Sequence, residues 1–239
     1  MIPLGFKRDT LRDEVYNLLL YRLISGKYAP GSPLQIGLLA KELDISPTPV
    51  REALVKLENT SLISRTALKG YRVSEPLSNK QISQLIDMRL VLENAAAERA
   101  AKNAKKLFPD LQIAHEEHAR QADKVNKLAE AGKLAVENLI PYFSADWNFH
   151  HTILQYCENS YIEKTADNLS FNIHRIRQDL LTKSSDALIA VAEHQQILDA
   201  FKDGDVEQIR NAMTNHLLNV LNRSTASNKI IKSTAVIDN

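Results

Sequence analysis

Two prolines at the head of one helix narrow the folds open to this chain. The stretch DISPTPVREALVKLE, Asp44 to Glu58, sets Pro47 and Pro49 directly before a helical apolar pattern. Inside a helix, proline removes a ladder hydrogen bond and clashes with the preceding turn. In the first turn the N–H groups have no helical partner, and proline presets φ. The pair therefore fixes a helix start. Ser46 falls at the N-cap, where its oxygen is expected to accept from a first-turn N–H. The helix is predicted from Pro47 to about Asn59, with Val50, Ala53, Leu54 and Leu57 inward. Its exposed front, with free N–H groups and the positive helix end, suits an anionic partner.

The surroundings extend this pattern. TLRDEVYNLLLYRLISG reads as a helix with Thr10 as N-cap and Gly26 as stop. Pro30-Gly31 suits a type II turn. A short helix is predicted from about Gln35 to Leu43, with Ile36, Leu39, Ala40 and Leu43 on one face. After the proline-headed helix, LISRT and GYRVSEP read as a two-strand hairpin with Gly70 at its tip. Helix, short helix, turn, helix and hairpin outline a winged helix-turn-helix. Charge is weakly uneven along the chain. Residues 1–77 carry 11 Lys and Arg against 8 Asp and Glu, and residues 78–239 carry 19 against 21. The basic side can meet a polyanion.

SEPLSNKQ reads as a linker, and helical periodicity runs on from there. Helices are expected at about 79–105, 109–132, 141–157, 160–183, 186–203 and 205–223, with breaks at Pro109, Gly132 and Pro141 among others. A loose polar tail is expected over 226–239. The fold class is therefore mainly α: an N-terminal winged helix-turn-helix domain, 1–77, and a C-terminal all-α six-helix bundle, 78–225. Every long apolar run is interrupted by charge, which argues against a membrane span. The N-terminus lacks the apolar stretch of a secretory signal. Cys157 is the single cysteine, so no disulfide closes within one chain, in keeping with a cytoplasmic protein.

Bundles build ligand and metal sites from residues on facing helices. In SADWNFHHTIL, Asp146 and His150 are four apart and share a helix face, whereas His151 is rotated away. His194 and His216 lie on two further amphipathic helices. Each histidine alone is more often a hydrogen-bonded core residue than a ligand. Three histidines and an aspartate together suit a divalent transition metal ion such as zinc, nickel or manganese. A metal-dependent hydrolase built on this cluster is the alternative reading, with Glu193 as the nearby base candidate.

Residues 26–73, from GKYAPGSPLQIGLLAKELDISPTPVREALVKLENTSL to KGYRV, resemble the N-terminal domain of the GntR family of bacterial transcription regulators. The resemblance rests on the Pro-Gly turn before Leu34, the Leu-Ala-Lys-Glu-Leu helix, the Thr48–Leu54 run and the wing glycine Gly70. It implies double-stranded DNA as partner. The family often has arginine where this chain has Pro47, which leaves Ser46, Thr48 and Arg51 as the recognition-helix candidates. Arg51 can pair with guanine, or else pair with Glu52 or Glu58 on a solvated face. Lys69 and Gly70 sit at the wing tip, Lys69 as a phosphate or minor-groove contact. Arg65 and Arg72 are weaker candidates. The family also often has glycine where this chain has Ser61.

Asp146-x-x-Phe149-His150, Glu193-His194, Asp203-Gly204-Asp205, His216 and Arg89 with Leu92-Glu93 resemble the FCD effector domain of the FadR-type branch, in its six-helix, VanR-like form. That resemblance implies a metal at which a small carboxylate effector docks, with Arg89 as a second carboxylate contact. The plainer reading of Arg89 is a salt bridge to Glu93. Arg177 is a further basic candidate. A single recognition helix buries too little surface for tight specificity, so a homodimer on an inverted-repeat operator is expected.

Overall fold

The structure is a computed structural model that describes residues 11–67, 70–169 and 186–237, with side chains described to residue 226. The chain divides into two compact units, Met1–Pro76 and Leu77–Asn239.

The first unit is a winged helix-turn-helix. It runs α1 (Leu11–Ile24), β1 (Pro33–Leu34), α2 (Ile36–Glu42), α3 (Pro47–Glu58), β2 (Ile63–Thr66) and β3 (Gly70–Val73). Helix α1 packs on α3. Val15, Leu19 and Leu23 are buried on α1, and Val50, Ala53, Leu54 and Leu57 are fully buried on α3. Ser32 N–H donates to Ala29 O across Pro30-Gly31, and Gly31 takes the positive φ of 77° that a type II turn requires. Only glycine adopts that conformation without cost.

Where the sequence pattern predicts a two-strand hairpin, the sheet has three strands in the order β1-β3-β2, all antiparallel. The turn delivers Ser32–Leu34 alongside β3, where Gly31 N–H donates to Val73 O and Val73 N–H to Ser32 O. A two-residue strand of this kind carries too little alternation to be read from sequence.

Ser46 does occupy the N-cap of α3, in extended conformation, but its side chain makes no capping hydrogen bond. A capping oxygen accepts from the second or third helical N–H. The third residue here is Pro49, which has none, so half of the usual donors are missing.

The second unit is all α. Among the described residues its helices are α4 (Asn79–Ala100), α5 (Ala104–Glu130), α6 (Val136–Gln155), α7 (Ser160–Asp167), α8 (Ala187–Asp203) and α9 (Val206–Ile237). Ser78 and Gln81 form a reciprocal capping box that starts α4. Ile82, Ile86, Leu107, Leu111, Phe149, Ile153, Ile197, Phe201, Ile209 and Leu217 form one core.

Three boundaries differ from the sequence expectation. Pro109 and Pro141 lie inside α5 and α6 rather than before them. Each is the sixth residue of its helix and removes one ladder bond. Burial of Leu107, and of Val136 and Leu139, carries the helices upstream of the prolines. The first break falls instead at the short 3-10 turn Ala101–Asn103. The tail expected to be loose from 226 continues the backbone of α9 to Ile237. Nothing in 224–237 breaks a helix, since that stretch contains no glycine or proline. Part of the helix expected over 160–183, with Arg177, lies outside the described residues. Among the described residues no helix is long and apolar enough to cross a membrane.

Candidate nucleic-acid interface and metal centre

The front of α3 presents Ser46, Thr48 and Arg51 to solvent, while Pro49 and Val50 behind them are buried. The prolines set this division: the first turn is fixed in φ and its polar residues point away from the core. Arg51 makes no ion pair with a described residue, so the pairing with Glu52 or Glu58 that its position allowed is not formed. Gly70 takes a positive φ of 75° at the edge of the wing, and Lys69 lies outside the described residues. Arg72 donates to Gly31 O at 2.8 Å and Arg65 lies over the Tyr71 ring. Both are therefore partly committed to the sheet.

In the second unit the structure brings Asp146, His150, His194 and His216 together. Asp146 and His150 stand one turn apart on α6, His194 comes from α8, and His216 comes from α9. His194 Nε2 lies 3.3 Å from His216 Nε2 and 3.7 Å from Asp146 Oδ1. Phe149 stacks on the His194 ring at 4.2 Å and fixes its plane. His151, by contrast, faces Glu163 and Asp167 on α7.

A further residue joins the cluster. His118, from α5, sets its Nε2 3.6 Å from Asp146 Oδ1. The ligand atoms of His150, His194 and His216 all lie within 4.8 Å of one another, as do those of His118, Asp146 and His194. Buried imidazole nitrogens ordinarily have partners. Here both nitrogens of His118, Nε2 of His150 and Nδ1 of His194 have none. Burial pushes the His118 pKa down to about 4, and His194 and His216 below their usual values. Neutral imidazoles are the form that binds a metal. An N₃O or N₄O donor set with unsatisfied nitrogens fits a divalent transition metal.

Two arginine–glutamate pairs surround this cluster. Glu193 Oε2 accepts from His216 Nδ1 at 2.8 Å, and Arg223 and Asn219 donate to the same carboxylate. Burial would raise the Glu193 pKa, but these contacts hold it down at about 2. Glu93 Oε2 stands 2.8 Å from His150 Nδ1, off the direction of a hydrogen bond, and is clasped by Arg89. The salt bridge offered as the plainer reading of Arg89 is thus present. Burial again opposes ionisation of Glu93, and Arg89 with His150 overrides it, placing the carboxyl well below the usual range. Arg89 and Arg223 line one small cavity of about 20 Å³ together with Asp146 and His216.

Residues 84–219 match the FCD domain, and residues 11–73 match the bacterial regulatory proteins of the gntR family. The chain belongs to the GntR family, with an FCD domain. It is 28% identical over 224 residues, 92% of each chain, to a probable D-xylose utilization operon transcriptional repressor of Paenarthrobacter nicotinovorans. It is also 28% identical over 195 residues to the gluconate operon transcriptional repressor of Bacillus subtilis, covering 78% of this chain and 74% of that one. Among solved structures, McbR/YncC of E. coli shares the fold, with a TM-score of 0.63 and 22% identity. That match covers 91% of this chain and 99% of the other.

The sequence did not reveal the roles of three polar groups in the second unit. His118 was hidden in the polar run HEEHARQ. Its signal was the buried stripe Leu107, Leu111, Ala114, His118, Ala122 and Val125 at helical spacing. Glu193, a base candidate and part of the Glu193-His194 motif in the sequence, has its carboxylate engaged by His216, Asn219 and Arg223. Arg223 went unnoticed. Its signal was the i, i+3, i+7 run of His216, Asn219 and Arg223 along one face of α9.

Proposed function

We propose that this GntR-family chain is a ligand-responsive transcriptional repressor that binds an inverted-repeat operator as a homodimer. Residues 1–77 act as the DNA-binding domain and residues 78–225 as the effector domain. In the effector domain, Asp146, His150, His194 and His216 hold a divalent transition metal ion at which a small carboxylate effector docks. The single observation that carries the effector half is the convergence of these four buried side chains, with nitrogens of His150 and His194 left unsatisfied. When bound, the metal supplies a Lewis-acidic point for a carboxylate oxygen.

The surrounding residues prepare that point. Glu193 accepts from Nδ1–H of His216, which leaves Nε2 with its lone pair facing the cluster. Glu93 Oε2 stands at the same 2.8 Å from His150 Nδ1, without the hydrogen bond that Glu193 makes. Arg89 and Arg223 place two guanidinium groups beside Asp146 and His216. A carboxylate there competes with Glu93 and Glu193 for arginine donors, so its arrival changes the Arg89–Glu93 pair within α4 and the Glu193–Arg223 contact between α8 and α9. The cavity is about the size of one water, so an effector opens it on entry. A ligand shifts an equilibrium only through different affinity for its two states, and this exchange of ion pairs provides the difference.

On the DNA side, Arg51 reads a base edge, Ser46 and Thr48 contact the backbone or bases beside it, and Lys69 with Gly70 forms the wing contact. The test is a binding titration on the promoter fragment beside the protein's own gene, with light scattering for the assembly. A dimer that binds one inverted repeat and is released by a small carboxylate, only with metal present, is the expected result. Gluconate, named for one relative's operon, is the first probe. A monomer on and off DNA, or an effector response that survives chelation unchanged, contradicts the proposal.

A further inference from the structure

A buried histidine in an apolar stripe is normally satisfied by a hydrogen bond. His118 departs from that norm in both directions. It is fully buried, and neither ring nitrogen has a partner among the described residues. Leaving a buried polar group unmet costs on the order of 1–3 kcal/mol. Its ring neighbours supply no hydrogen bond: Tyr142 stacks on the ring at 5.2 Å and His194 lies tilted at 4.6 Å. Asp146 Oδ1 lies 3.6 Å from His118 Nε2, too far for a hydrogen bond.

That separation has a simple meaning if an ion lies between the two. Two ligand atoms on one ion, each about 2.1 Å from it, stand about 3–4 Å apart. Asp146 Oδ1 is 3.6 Å from His118 Nε2 and 3.7 Å from His194 Nε2, and His194 Nε2 is 3.3 Å from His216 Nε2. The two clustered sets, His150/His194/His216 and His118/Asp146/His194, share His194. His194 Nε2 is the nitrogen that lies 3.7 Å from Asp146 Oδ1 and 3.3 Å from His216 Nε2, so the two sets meet at that atom.

We propose that His118 is a fifth protein ligand, supplied by α5 to the metal held by Asp146, His150, His194 and His216. The inference rests on the metal reading above. Four imidazoles and one carboxylate select a borderline transition metal such as nickel, cobalt or zinc over magnesium or calcium. They also tie α5, α6, α8 and α9 to a single point. Five protein donors leave a six-coordinate ion one exchangeable position instead of two.

The experiment uses the full chain, stripped of metal and reloaded with Co²⁺, as wild type, His118→Leu and His151→Ala. The visible d–d absorption reports the number and kind of ligands, and thermal unfolding with and without metal reports the linked stability. In His118→Leu the absorption should change in position and intensity, and Co²⁺ affinity should fall at least about tenfold. Metal-free His118→Leu should be as stable as metal-free wild type or more so, because an unmet buried imidazole is gone, while its gain on adding metal shrinks. His151→Ala should match wild type throughout. If His118→Leu keeps the wild-type Co²⁺ spectrum and affinity, or loses stability only in the metal-free form, His118 is a packing residue and the inference falls. Wild-type protein that binds no Co²⁺ at all overturns the metal reading itself, a distinct result.

Discussion

Among the described residues, the front of α3 and the cluster inside the bundle both hold polar groups without hydrogen-bond partners, and they differ in what water can do for them. Ser46, Thr48 and Arg51 are exposed, so solvent satisfies them until a partner arrives. Their lack of contacts costs little and signals only availability. His118, His150 and His194 are buried, and solvent cannot reach their unmet nitrogens. Each unmet group costs the fold about 1–3 kcal/mol until something supplies the missing bond. Exposed polarity therefore points to a partner that comes and goes. Buried unmet polarity points to a resident group.

Substitutions can set the two regions against each other. The largest effect is expected from Leu54→Ala, which opens a cavity in the fully buried face of α3. It should cost about 2–5 kcal/mol, seen as a lower unfolding temperature with operator binding lost. The metal content of the bundle should be unchanged. If metal content falls as well, the two units do not fold as separately as the contrast requires.

Acidification should act mainly on the other region. His118, with a folded pKa of about 4 against a usual 6.5, binds fewer protons folded than unfolded. Stability is then complete above about pH 6.5 and lost as pH falls toward 4, worth on the order of 3 kcal/mol for this residue. Burial depresses His194 and His216 in the same direction. Glu193, held at about 2, keeps its contribution above the usual carboxylate value and loses it only as pH falls toward 2. Metal-free protein in chemical denaturation at pH 7, 5.5 and 4 should show this loss. A flat profile would mean the cluster is not held neutral.

Arg51→Ala should cost about 1–3 kcal/mol of base discrimination in each half-site. Competition between the operator and fragments altered at single positions would read this out. Its stability should barely move, because the side chain is exposed. An intact base preference would remove Arg51 from the reading role. The smallest effect is expected at Ser61, which adopts a positive φ of 59° that glycine takes without strain. Ser61→Gly should stabilise the first unit by about 0.5–1 kcal/mol, measured as a higher denaturant midpoint.

The same contrast governs what could be read from the chain. Helix α3 was legible because its signals are local: two prolines fix the start, and Val50, Ala53, Leu54 and Leu57 fix the inward face. Strand β1 was not, because two residues become a strand only through pairing with β3. Pro109 and Pro141 misled the boundaries, since burial of Leu107 and Leu139 outweighs one lost ladder bond. Asp146 and His150 could be paired by their i, i+4 spacing, and His194 and His216 joined them as histidines on amphipathic helices. His118 could not be singled out by its neighbours, which are charged. Only its place in a stripe that turned out to be fully buried gives it meaning. Glu93 and Glu193 took their roles from histidines on other helices, which no local pattern encodes.

The most direct test of the account is the metal content of full-length protein purified without chelator, measured by elemental analysis beside the His194→Ala/His216→Ala variant. The account predicts close to one divalent transition metal ion per chain in the wild type and almost none in the variant. Wild-type protein that is metal-free and gains no stability from added zinc, nickel or manganese, or a variant that keeps its full metal, would contradict it.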